Sequence, residues 1–306
     1  MKKITLTILI AAVAVCSSIY LIKRHHIKTG GFSLSKIKVI APFHPEHCLE
    51  ALSLTEQRNL ACAFNQDYHY LGQGGQCFAF VSEDDQYVIK FLRQQKKAPP
   101  FYSALPLPSF AKERLQQKMD LRKRKQQRDF QSYLLSIQEL KEDTGVLFLH
   151  LNQTKNLRKT LSISDKAGRE FTLNLDDYEF LVQKKTGLIY EKIDDFMKAG
   201  QQVRAQALIS SIISTVVARS QAAIIDDDAK IHRNFGCIDE KCLFIDVGRF
   251  RRDKQIAEPK EYIQDLHSIT KKFKEWLSTT YPELQDYLEQ SLQEVEKQHL
   301  APSGSS

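Results

Sequence analysis

No Cys-x-x-Cys pair occurs in this chain, and its six cysteines stand apart at Cys16, Cys48, Cys62, Cys77, Cys237 and Cys242. That scatter excludes the common zinc-site spacings and supplies no disulfide framework, and it fits a reducing compartment. Internal repeats are also lacking, which excludes solenoids and propellers. Tryptophan occurs once, at Trp276, in a stretch with amphipathic helical spacing, so it is expected in a core. No strong charge excess is present. A net charge of +7 on 306 residues permits an anionic partner but does not argue for nucleic acid. Long uncharged runs are absent too, with one exception.

That exception is Ile4 to Ile22, nineteen residues without a charge, between Lys2-Lys3 and "KRHHIK". At about 1.5 Å per residue such a helix spans the hydrocarbon core of a bilayer. Residues 1–23 are therefore expected to be an uncleaved single-pass membrane anchor. A cleaved signal peptide and lipidation at Cys16 are the alternatives, and Val15 before that cysteine speaks against the second. Lys23, Arg24, Lys28, Lys36 and Lys38 follow the run and outnumber Lys2 and Lys3 before it. This charge bias places the following domain in the cytoplasm.

The rest has the composition of an ordinary globular protein, 42% hydrophobic and 26% charged. Residues 24–47, with "TGG" and "APFHP", read as a linker. Residues 48–65 have helical spacing. From Tyr68 to Leu92 apolar and polar residues alternate around a glycine cluster and an acidic turn at Glu83-Asp84-Asp85, which predicts strands. The proline-rich stretch 94–110 reads as a loop. A long helix is expected over 111–143, carrying the basic run Lys118, Arg122, Lys123, Arg124, Lys125 and Arg128. That run is a solvated helix face or, alternatively, a surface for a membrane or an acidic partner. Strands follow in "GVLFLHLN", "LRKTLSI", "EFTLNL" and "EFLVQKK", and helices dominate from about 190 onward. The expected division is a β-rich lobe over 48–186 with a helical insertion, an α-rich lobe over 187–298, and a disordered tail over 299–306.

Three stretches bear chemistry. Gly72, Gly74 and Gly75 lie in "GQGGQCF", where backbone N–H groups without nearby Cβ atoms are able to approach phosphate. Lys90 ends the run "YVIK", eighteen residues after Gly72, in position to lie under that turn and reach phosphate oxygens. The stretch "IIDDDAKIHRNFGCIDEKCLFIDVGRF", residues 224–250, contains hard oxygen ligands of the kind magnesium prefers. A hairpin turning at Asp239-Glu240-Lys241 brings Asn234 and Asp246 together as metal ligands. Asp228, in a loop after a long helix, is placed to accept a hydroxyl proton.

A glycine turn, a Val-Ile-Lys strand, an Asp-x-Lys…Asn loop and an Asp-x-Gly, in that order, resemble the protein-kinase-like superfamily. The resemblance covers residues 66 to about 275. It implies a bilobal α+β fold behind the N-terminal helix, with ATP and Mg2+ as cofactors. It gives Lys90 to the α/β-phosphates, Asp228 to the acceptor hydroxyl, and Asn234 and Asp246 to the metal. Lys230 stands where many members carry a phosphate-contacting lysine, and "LVQKK", residues 181–185, resembles the segment that holds adenine. Glu139, or alternatively Asp129, would pair with Lys90. The chain departs from the pattern as well. Asp226-Asp227-Asp228 replaces His-Arg-Asp, and Asn234 lies six after Asp228, one more than usual. Aligning Asn234 with the loop aspartate instead would leave Asp239 as the metal ligand only seven before Asp246, which is too short. No Ala-Pro-Glu follows Asp246. The expectation is a membrane-anchored kinase-like protein that transfers a phosphoryl group to an unknown hydroxyl acceptor. The alternatives are an inactive pseudokinase scaffold with a protein partner, and an unrelated α+β domain without a nucleotide site.

Overall fold

The computed structural model describes residues 2–39, 44–47, 53–94 and 108–300. Most of the proline-rich stretch 94–110, and the tail beyond Leu300, lie outside the described residues. The chain divides into two compact units, residues 1–96 with 150–182, and residues 97–149 with 183–306.

The first unit contains helices α1 (Lys2–Thr29) and α2 (Leu54–Phe64). A reciprocal capping box, Ser53 with Glu56, starts α2 by satisfying two otherwise orphaned N–H groups. Strands β1 (Tyr68–Gln73), β2 (Cys77–Ser82) and β3 (Tyr87–Leu92) form an antiparallel meander. Strands β5 (Thr160–Ser164) and β6 (Glu170–Asn174) form a hairpin that pairs in parallel with β1. Strand β4 (Val146–His150) carries the chain into this unit and β7 (Phe180–Lys184) carries it out. The seven strands run in the order β4-β7-β3-β2-β1-β5-β6.

Alternation decides which side of the meander is buried. Phe78, Phe80, Ile89 and Phe91 share one face and are almost wholly buried. Phe32 fills that face, with ring centroids 5.3 Å from Phe78, 5.2 Å from Phe80 and 5.7 Å from Phe171. The stretch 24–47, expected as a linker, is therefore partly core. Helix α1 continues through it to Thr29 rather than ending near residue 23. Gly30 and Gly31 then turn the chain with φ of 59° and 70°, conformations that favour glycine, and Phe32 drops onto the sheet. Among the described residues no helix is long and apolar enough to cross a membrane. The span expected over 4–22 thus finds no support there. The side chains of residues 2–12 and 14 lie outside the description.

The second unit begins with helix α3 (Ser109–Gln138) and the short α4 (Lys141–Thr144). The long helix was expected as an insertion in the first lobe. It groups with the second unit because its C-terminal half buries Phe130, Ser132, Tyr133 and Ser136 there. Strand β8 (Gly187–Leu188) and helices α5 (Ile189–Lys198) and α6 (Gln202–Gln221) lead to β9 (Ile224–Asp226). A single helical turn, α7 (Ile231–Asn234), precedes the hairpin β10 (Phe235–Ile238) and β11 (Lys241–Phe244). Strand β12 (Phe250–Arg252) pairs with β9, and helices α8 (Pro259–Thr280) and α9 (Pro282–Leu300) close the unit. Leu208, Ile212 and Val216 of α6, Leu266, Phe273 and Leu277 of α8, and Leu284 and Leu288 of α9 supply its core. Trp276, expected in the core, is half-buried and stacks on Tyr190 at 4.3 Å.

Candidate functional site

In the first unit, β1 and β2 are joined by a turn holding Gly74 and Gly75, and Gly74 N donates to Cys77 O at 3.0 Å. Gly72 pairs with Ala79, and Ala79 pairs with Lys90. Lys90 therefore lies two strands across from Gly72. Gly72, Gly74 and Gly75 have no positive φ, and a Cβ on any of them would meet nothing within 4 Å. Neither backbone conformation nor crowding inside this unit demands glycine at these three positions. Just before the neighbouring β7, Glu179 is 1% exposed and accepts from Gln94 Nε2 at 2.8 Å, and burial pushes its carboxyl up to about 7. Nothing in the residue types signalled that buried acid.

In the second unit the loop from β9 to β10 carries three predicted residues, Asp228, Lys230 and Asn234, and is bonded to the segment that holds a fourth, Asp246. The side-chain amide of Asn234 donates to the Asp228 carbonyl at 2.6 Å. The Asn234 carbonyl accepts from Ile245 N at 2.8 Å and Asp246 N at 3.4 Å. Asn234 thus stitches the loop to the segment carrying Asp246. Lys230 Nζ donates to Asp228 Oδ1, and Arg233 Nη2 bonds Asp228 Oδ2 at 3.1 Å. The Lys230 hydrogen bond, with help from Arg233, holds the Asp228 carboxyl below the usual carboxylate range. The turn α7 lies between Asp228 and Asn234, and across it the Asn234 amide reaches the Asp228 carbonyl. Gly236 follows on β10, which pairs with β8. There an added Cβ would collide with the Thr186 hydroxyl, so the close strand approach requires glycine.

Asp246 is half-buried and accepts from Gly248 N at 3.3 Å. A side chain missed in the sequence fixes this segment. Ser132 Oγ on α3 donates to Val247 O at 2.6 Å and accepts from Phe250 N at 2.7 Å, gripping both ends of Val247–Phe250. A serine inside a helix carries no sequence signature for such a role. The two acids considered as partners for Lys90 both bond arginines beyond Asp246: Glu139 meets Arg252, and Asp129 meets Arg249 at 3.4 Å. In the stretch likened to an adenine-holding segment, Gln183 Nε2 donates to Thr144 O at 2.5 Å and Phe244 O at 3.0 Å, and Lys184 N donates to Gly145 O.

The donor chemistry suits magnesium. Asn234 Nδ2 is committed to the Asp228 carbonyl, which leaves its Oδ1 as the end a metal would take. Among the described residues no group of three or more His, Cys, Asp or Glu is placed to hold a metal. Magnesium does not need one, since it is commonly held by one or two protein oxygens with phosphate oxygens and water.

Asp226 went unassigned in the sequence. It is 6% exposed, its Oδ1 accepts from Asp228 N at 2.9 Å, and its buried Oδ2 has no hydrogen-bond partner among the described residues. Burial pushes its carboxyl up to about 6. A raised folded-state pKa means a contribution that is whole below the unfolded value and lost as pH climbs through about 6. The stability of Asp226→Asn relative to the unsubstituted protein is therefore expected to improve by on the order of 2–3 kcal/mol from about pH 4 to pH 8. Urea midpoints across that range measure it, and a pH-independent difference would show that Asp226 is not the titrating group.

No family model matches the chain, and no curated protein matches it. Two solved structures of WbdD are similar to it at 14% identity. One is a co-crystal with a kinase inhibitor, covering 74% of this chain with a TM-score of 0.37. The other, described as a bifunctional kinase-methyltransferase, covers 75% with a TM-score of 0.35. This chain spans 45% of the WbdD chain in each. A likeness at that level carries no conclusion about the chemistry of this chain.

Proposed function

We propose that this protein is a kinase-like phosphotransferase that binds ATP with magnesium and phosphorylates a hydroxyl acceptor. The observation that carries the reading is the Asn234 junction, which bonds the Asp228 loop on one side and the Asp246 segment on the other. In this reading Lys90 and the glycine turn serve phosphate, and Asn234 and Asp246 hold the metal, which supplies charge neutralisation on the phosphates. Asp228 receives or orients the acceptor proton as the acceptor oxygen bonds to the γ-phosphorus. The bond to the β,γ-bridging oxygen breaks, and ADP leaves. Lys230 keeps Asp228 ionised and aimed. The uncharged run 4–22 supports a membrane tether, with the rest of the chain in the cytoplasm.

A second reading, an inactive scaffold, is favoured by Arg233, which bonds the Asp228 oxygen that Lys230 leaves open. The two separate by experiment. With γ-labelled ATP and magnesium, label is expected to appear on the protein or an added acceptor, and Asp228→Asn and Lys90→Ala should each remove it by at least about a hundredfold. Nucleotide binding without transfer, in the unsubstituted protein and in Arg233→Ala alike, would establish the scaffold.

The glycines give an independent check. Because a Cβ at Gly74 meets nothing, Gly74→Ala is expected to change folding stability by less than about 0.5 kcal/mol. It should nonetheless weaken ATP binding by roughly tenfold, through loss of backbone approach. Unaltered affinity by calorimetry would remove the turn from the site.

A further inference from the structure

The first twenty residues of α3, 109–128, hold eight basic side chains and two acidic ones, a net of +6 against +7 for the whole chain. Nearly all the excess charge of the protein is therefore on one helical segment, about 30 Å long at the standard rise. Lys112, Arg114, Lys118 and the run 122–125 are exposed, and Phe110 and Leu121 are 63% and 55% exposed. By contrast the C-terminal part of the helix is held in the second unit through Phe130, Ser132 and Tyr133. The segment carries eight cations against two acids of its own, Glu113 and Asp120, and Arg128 also bonds Asp129.

We infer that residues 109–128 are a docking surface for an anionic lipid bilayer. Lysine and arginine ammonium and guanidinium groups on several sides of the helix match phosphodiester headgroups. Their alkyl stems, with Phe110 and Leu121, match the apolar boundary beneath them. Ala111, Leu115 and Met119 recur at every fourth position, so they lie on one side of the helix, flanked by Lys112, Lys118, Arg122 and Lys123. Two exposed large apolar side chains within the basic segment favour a lipid boundary over a nucleic-acid backbone, which would need only the charge. The uncharged run 4–22 in the same chain agrees with that choice. The inference does not depend on the phosphotransferase reading.

Tryptic cleavage of the full chain within 112–128 provides the test, because it reports on this helix whatever the N-terminal residues do. Vesicles of phosphatidylcholine are compared with vesicles containing roughly a quarter phosphatidylglycerol. Cleavage there is expected to slow on the order of tenfold with the anionic vesicles alone, and half-molar salt should abolish the protection. In the variant K118E/K123E/R124E/K125E, cleavage at the remaining Lys112, Arg114, Arg122 and Arg128 should be equally fast with both vesicles. A milder variant with glutamine at the same four positions should lie between. Equal cleavage of the unsubstituted protein in both vesicles would overturn the proposal. So would protection by a short RNA duplex without protection by anionic vesicles, which would assign the helix to nucleic acid instead.

Discussion

Asp246→Ala is expected to abolish the magnesium-dependent stabilisation by ATP. A ligand at a hundred times its dissociation constant adds about 2.7 kcal/mol to the folded state. Each kcal/mol raises Tm by roughly 2–4 °C in a domain of 150–250 residues. The unsubstituted protein should therefore melt several degrees higher with ATP and magnesium than with either alone, and the variant should not. The variant without ligand should lose less than about 1 kcal/mol, because among the described residues the Asp246 carboxylate has one long hydrogen bond to lose, from Gly248 N at 3.3 Å. Loss of the ligand response then cannot be ascribed to unfolding. A shift of equal size in Asp246→Ala would remove Asp246 from the site. Absence of any shift in the unsubstituted protein would end the ATP reading altogether. Asn234→Ala is a weaker test, since removing its amide also frees the Asp228 carbonyl and loosens the loop.

The sequence and the structure part company at identifiable places. The register shift between Tyr70 and Gly72 that sets Gly72 level with Ala79 and Lys90 has no mark in the sequence, whereas period-two alternation fixes which residues of β2 and β3 share a face. The hairpin turning at Asp239-Glu240 was legible for the same reason. The spacing of Asp228 and Asn234 was visible but its consequence was not. Only the structure shows that a helical turn over Ile231–Asn234 stands between them. Phe32 was hidden because a Gly-Gly pair marks a break and gives no hint that the next side chain is core. Ser132 and the arginines that take Glu139 and Asp129 were hidden more deeply. Their roles are contacts between residues more than a hundred positions apart, which no local pattern encodes. Asp226 is closer in sequence to the charges around it, Arg219, Asp228 and Asp246, but the turns that gather them carry no local pattern either.

The largest stability effect is expected at Arg219, on α6. It is wholly buried, its Nη2 bonds Asp265 Oδ2 at 2.5 Å, and Nε and Nη1 are buried without partners among the described residues. Its guanidinium lies 5.6 Å from the Phe244 ring centroid. Burial raises the carboxyls of both Asp226 and Asp265, and the Arg219 charge opposes the rise in each. The cation thus makes an acidic loop affordable in the interior. Arg219→Met keeps the volume but strands Asp265, and it should cost about 3–5 kcal/mol, as breaking a buried pair from one side commonly does. Arg219→Met with Asp265→Leu should recover most of that loss, because no uncompensated carboxylate then remains at that end. The cost of the single substitution should also grow with pH. Without the cation both folded-state carboxyl pKa values rise further, and a group raised in the fold loses its stabilising contribution as pH climbs through that value. Urea midpoints at about pH 5 and pH 8 read both effects. A single variant within about 0.5 kcal/mol of the unsubstituted protein at both would mean that the arginine is not the counter-charge of this loop.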